Sequence, residues 1–95
     1  MTIQEFKDSL KNQTPPTGIS EIAIALWYDA KGDWEAAHDI AQTKESVNDF
    51  DLLHAYLHRK EGDDWNANYW YNRADSAMPK ISLEMEWQVL VTYFL

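Results

Sequence analysis

The chain reads as an all-α protein: two tandem helical hairpins set between an N-terminal helix and a C-terminal capping helix. Two observations carry this. Gly32-Asp33-Trp34-Glu35-Ala36-Ala37 and Gly62-Asp63-Asp64-Trp65-Asn66-Ala67 rhyme, each following one run of helical periodicity and opening another. In both, Gly is followed at once by Asp and, five residues on, by Ala. Gly can take the left-handed conformation that ends one helix, Asp can cap the first amides of the next, and Ala lets the returning helix come close. The second observation is length: 95 residues give room for one core, so residues 1–95 read as a single helical-repeat domain.

Taken in order, Thr2-Ile3-Gln4-Glu5 fits a capping box that starts a short helix through about Lys11, with Ile3, Phe6 and Leu10 on one face. Asn12 to Gly18, with Pro15 and Pro16, is a stiffened linker. Ser20 is a good N-cap for a helix over about Glu21 to Lys31 that is apolar on most sides and therefore belongs between neighbours. The next helix runs from Trp34 to about Thr43, capped by Asp33. Lys44 to Asp49 is a polar loop offering Ser46 or Asn48 as the following cap. A helix over roughly Asp49 to Glu61 ends at Gly62, and another from about Asp64 to Ala77 is stopped by Pro79.

The tail, Ser82 to Leu95, carries two periods at once. Ile81, Leu83, Met85, Trp87, Val89, Val91 and Tyr93 alternate as in a strand, while Leu83, Trp87, Leu90, Val91 and Phe94 form a helical stripe. A lone strand among helices would leave its backbone amides unpaired, so the helix is preferred. It is expected to dock through Leu83, Trp87, Leu90 and Phe94 on the fifth helix, with the N-terminal helix as a further surface, and to self-associate through the leftover face of Met85, Val89 and Tyr93.

Composition excludes several function classes. The chain has no cysteine, so it holds no disulfide, thiolate metal site or thiol nucleophile. Its net charge of −8 repels phosphate backbones and anionic membrane surfaces, so neither nucleic acid nor membrane is an expected partner. No apolar stretch approaches the roughly 20 residues of a bilayer span, and the first residues do not form a signal peptide, so a cytoplasmic location is expected.

Aligned on Gly62, residues 48–81 resemble a tetratricopeptide repeat and, more closely, its Sel1-like relative. Ala55 stands at the small position of the first helix, Gly62 at the turn, Ala67 and Ala74 at the small positions of the second helix, and Pro79 at the terminal proline. Tyr69-Trp70-Tyr71-Asn72-Arg73-Ala74 is similar to the Trp-Tyr-x-x-Ala ending of Sel1-like units. Residues 20–43 match the front half through Ala25, Tyr28, Gly32 and Ala37. The two glycines are 30 residues apart, short of the roughly 34 of the standard repeat. The chain also resembles a group of bacterial proteins of about this length that carry runs like Ala-Lys-Gly-Asp-Trp and His-Ala-Tyr-Leu-His-Arg-Lys-Glu-Gly-Asp. These resemblances imply a protein-binding scaffold and no specific chemistry.

Among side chains able to carry chemistry, Asp51, His54, His58 and Glu61 share one arc of the fourth helix. Two His at i, i+4 flanked by carboxylates can present a divalent metal. The competing reading, which the repeat alignment favours, packs His54 and His58 beside Tyr71 and Ala67; His38 could approach the pair, but spacing alone does not decide it. Tyr56, Arg59, Trp65, Tyr69 and Arg73 form the candidate interaction surface, although the tail helix is expected to cover the side bearing Trp65 and Tyr69. No Gly-rich phosphate loop exists and Asp63-Asp64 is explained by capping, so the expectation is a non-enzymatic module without cofactor that binds a protein or peptide. The alternative is a small-molecule or metal-binding protein with hydrolase activity, built on His54 and His58.

Overall fold

A computed structural model of the chain describes residues 1–44 and 46–95. Glu45, inside the loop expected over 44–49, lies outside the described residues. Six helices occur in order and no strand is found among the described residues: α1 (Ile3–Ser9), α2 (Glu21–Ala30), α3 (Trp34–Gln42), α4 (Asn48–Lys60), α5 (Asp64–Arg73) and α6 (Leu83–Phe94). The tail is thus helical, and its period-2 pattern has no structural counterpart.

Local chemistry places the boundaries. Thr2 and Glu5 form the expected reciprocal capping box, and the Ser20, Asp33, Asp63 and Ser82 side chains each accept an amide of the helix they precede. Gly32 and Gly62 have φ of 85° and 86°. Around them, Gly32 N donates to Asp29 O and Asp33 N to Tyr28 O; Gly62 N donates to Arg59 O and Asp63 N to His58 O. Both turns are therefore Schellman motifs in which one Asp closes the outgoing helix and caps the incoming one. The same bonding recurs where Asp75 N meets Asn72 O and Ser76 N meets Tyr71 O, with Asp75 at φ 56°. This third motif ends α5 at Arg73, earlier than the Ala77 expected from Pro79, because Asp tolerates the left-handed region that bulkier residues avoid. α4 also departs from expectation: its cap position is Val47, without a side-chain bond, while Ser46 N donates to the buried Asp51 carboxylate.

α2 packs on α3, α3 on α4, and α4 on α5, while α6 packs on α1, α2 and α4. The main core joins Phe6, Leu26, Trp27, Leu53, Leu57, Trp87, Leu90 and Val91, and a smaller cluster joins Ala55, Ala67 and Tyr71. Ala37 and Ala67 are fully buried. Buried indoles find acceptors: Trp27 donates to Ser9 Oγ and Trp87 to the Leu26 carbonyl. Ser20 Oγ donates to the carbonyl of Phe94 at 2.8 Å, fixing the tail to the start of α2. The tail packs on α1, one of its two expected surfaces, but not on α5, which corrects the expectation that it covers that helix. It reaches α5 by a hydrogen bond from Tyr71 to Glu86, so Trp65 and Tyr69 stay uncovered at 76% and 44% exposure. No helix among the described residues is long and apolar enough to cross a membrane.

Candidate functional site

The chain has three histidines, and the packing of α3 on α4 brings all of them together. His54 and His58 sit one turn apart on α4, their rings stacked with centroids 4.9 Å apart. His38 arrives from α3: its Nε2 lies 3.0 Å from His54 Nε2, and its ring meets those of His54 and His58 edge-on at 4.7 and 5.3 Å. One ligand-capable nitrogen from each residue lies within 4.8 Å of the other two.

Two indoles wall the cluster. Trp34 stacks on His38 with centroids 4.6 Å apart and is itself held by donation from its Nε1 to the Leu57 carbonyl at 2.8 Å. Trp70 stacks on His54 at 3.8 Å. Trp70, next to Tyr71 on α5, is thus the stacking partner of His54. The outer nitrogens are held as well. His58 Nδ1 donates to Glu61 Oε1 at 2.8 Å, and Gln42 Nε2 lies 3.1 Å from His38 Nδ1. Glu61 and Asp63 form a second group with His58, their ligand atoms again within 4.8 Å. Asp51, on the expected arc, belongs to neither group; its carboxylate is bound to the Ser46 amide.

His54 is 4% exposed, and its Nδ1 is the one buried side-chain nitrogen or oxygen among the described residues without a hydrogen-bond partner. The bond pattern accounts for this. If Gln42 donates to His38 Nδ1, then His38 carries its proton on Nε2 and donates it to His54 Nε2. His54 must then be protonated on Nδ1, where no acceptor exists. The other tautomer leaves a bare lone pair at the same place. Burial, and to a smaller degree the proximity of His38, His58 and Arg73, lowers the His54 pKa to about 4. Burial also lowers that of His38. Both rings are therefore neutral, with lone pairs available, at physiological pH.

Comparison with protein-family models, curated proteins and solved structures finds no match.

The candidate interaction surface divides. Tyr56 is 2% exposed and donates to Asp29 Oδ2, so it is interior, a correction to its surface assignment. Arg59 is likewise withdrawn, its guanidinium held by Glu86 Oε1 and the Ile81 carbonyl. Trp65, Tyr69 and Arg73 do form an outer ledge. The two rings are near parallel with centroids 6.3 Å apart, and the Arg73 guanidinium lies 5.7 Å from the Tyr69 ring, bonded to its hydroxyl and to Ser46 Oγ. Not anticipated from sequence is an open cleft of about 510 Å³ between α1, α2, α4 and α6, lined by Lys7, Leu10, Asp29, Tyr56, Lys60 and Trp87 among others. Its polar floor is occupied internally, since Lys60 Nζ lies 2.8 Å from Asp29 Oδ1.

Proposed function

We propose that the chain is a non-enzymatic helical-repeat module, of tetratricopeptide or Sel1-like kind, that docks a protein or peptide partner. The observation that supports this reading is the double-sided character of α6. Its inner face buries Trp87, Leu90 and Val91, yet its outer face carries Met85, Val89 and Tyr93 at 52%, 54% and 75% exposure. These three are spaced i, i+4, i+8, so they form one apolar stripe. A helix apolar on both faces is normally covered on both. The stripe, with Gln88 and Thr92, lines a shallow groove without a charged side chain on a chain of net charge −8. Such a surface suits the apolar face of an amphipathic helix. A second copy of α6 meets that description, which makes self-association one form of the same docking. The ledge of Trp65, Tyr69 and Arg73 supplies a further contact surface.

Photo-crosslinking from position 89 in native cells tests the reading, with an exposed control position at Asn12. Specific adducts at position 89, including a self-adduct, that are lost with Tyr93→Asp support it. Equal labelling from both positions, together with a monomer in solution, overturns it.

A further inference from the structure

We propose that His38, His54 and His58 form a binding site for one late transition-metal dication, with Zn²⁺ as the reference ion. The proposal does not depend on the docking reading. Three imidazoles from two helices converge with their nitrogens within 4.8 Å, and the closest pair is already at 3.0 Å. Tetrahedral Zn–N bonds of about 2.0–2.1 Å set nitrogens about 3.3 Å apart, so the required closure is small. The stacked rings of His54 and His58 reach a common ion by turning about χ2, a soft torsion.

The surroundings are those a metal site needs. His58 Nδ1 is committed to Glu61, which leaves Nε2 as its ligand nitrogen and supplies the carboxylate–histidine pairing that orients metal ligands. His38 Nδ1 has Gln42 in the corresponding place; turning that amide over lets its carbonyl accept the Nδ1 proton and frees Nε2 for the ion. Trp34 and Trp70 cover the rings with apolar surface. His38 and His58 are partly exposed, with 13% of the His58 side chain open to solvent, and Glu61 and Asp63 stand beside His58.

The metal-free cluster is also a poor core. Two Nε2 atoms face each other across one proton. An ion replaces the shared proton and uses both lone pairs. Imidazole donors select zinc, copper, nickel or cobalt over calcium or magnesium. Three protein ligands leave at least one coordination position for water or an exogenous donor.

The experiment uses the full chain without an affinity tag, in which every histidine belongs to the cluster. Chelator-stripped protein is titrated with Zn²⁺ alone by calorimetry and with Co²⁺ alone by visible absorption. The expected result is saturable uptake of one ion per chain, a tetrahedral Co²⁺ spectrum, and concerted movement of all three imidazole resonances in the wild-type NMR spectrum. His38→Gln and His58→Gln, at half-buried positions, should each weaken binding at least about a hundredfold, and Glu61→Gln about ten- to a hundredfold. Uptake that is unsaturable, that leaves the imidazole resonances in place, or that persists unchanged in both histidine variants overturns the proposal.

Discussion

Two buried polar regions flank α4, and they are built to different standards. On one face of the helix, Tyr56 and Lys60 meet Asp29 while Arg59, together with Tyr71 of α5, meets Glu86. Each carboxylate oxygen has its own donor: Lys60 and Tyr56 on the two oxygens of Asp29, Arg59 and Tyr71 on those of Glu86, at 2.5 to 2.8 Å. On the other face, about half a helical turn away, two imidazole Nε2 atoms share one proton and His54 Nδ1 has no partner. Folding has satisfied the first region completely, which is what a structural network requires, since a half-satisfied one is worse than an apolar core. The second region departs from that rule, which the other buried side-chain polar atoms among the described residues keep. The acid–tyrosine networks are closed on themselves; the histidine cluster is where we propose that a metal binds.

Removing a carboxylate from the satisfied side is the severest way to probe this contrast. Glu86 is 4% exposed, and Glu86→Ala would strand the Arg59 charge and the Tyr71 hydroxyl inside the fold. Breaking a buried pair in this way costs about 3–5 kcal/mol, a large share of the stability of a small domain, and urea unfolding will measure it. A loss below about 1 kcal/mol would mean that water already screens the network.

The histidine side should respond to pH instead. The folded chain holds His54 neutral down to about pH 4, whereas the unfolded chain takes up that proton near 6.5. The unfolded state therefore binds more protons between these values, and stability falls as pH drops through this window. At about 1.4 kcal/mol per unit the loss is on the order of 3 kcal/mol, added to by the lowered His38. Denaturant melts of chelator-stripped protein from pH 7 to 4.5 will show the slope. A flat profile would place the cluster in contact with water and remove the contrast.

Sequence conveyed what is local and little of what two distant elements do together. The turns at Gly32 and Gly62 were readable because the left-handed residue and its capping Asp are adjacent in the chain. The i, i+4 spacing of His54 and His58 was readable for the same reason. That His38 completes a trio depends on how α3 packs against α4, and no local signal encodes it. Tyr56 reads as a surface aromatic on its own helix, and only Asp29, 27 residues earlier, makes its burial affordable in polar terms. The side on which the tail docks was undetermined because an apolar stripe carries no address: α1, α2 and α4 offered the larger core, and α5 kept Trp65 exposed. Asp75 misled because left-handed geometry is usually signalled by Gly.

A gentler probe of the satisfied side is Tyr71→Phe. The ring stays in its fully enclosed place, but the hydrogen bond to Glu86 Oε2 disappears. Burial and the neighbouring carboxylate raise the pKa of this hydroxyl, so at ordinary pH it is a neutral donor to a charged acceptor. Such bonds contribute about 1.5–3 kcal/mol, and the thermal midpoint should fall accordingly. No change would show that Arg59 alone satisfies the carboxylate.

The smallest expected effect is the most telling. His54→Leu removes a side chain as buried as Glu86, yet its unpartnered Nδ1 contributes nothing favourable to folding. The leucine keeps apolar contact with the indole of Trp70, which now stacks at 3.8 Å, and the half-buried His38 can offer its released Nε2–H to water. Eliminating an unsatisfied polar atom offsets the lost ring packing, so stability at pH 7 should change by no more than about 1 kcal/mol. The same substitution should reduce the pH slope between 6.5 and 4.5 to the part carried by His38, because the larger contributor is gone. It should also abolish one-to-one Zn²⁺ uptake, because the two remaining imidazoles no longer close a three-ligand site. A residue dispensable for folding and indispensable for the ion would separate the two faces of α4 by role. A loss of several kcal/mol on His54→Leu would instead make the cluster a structural network like its neighbour, with its bare nitrogen an accident of close packing.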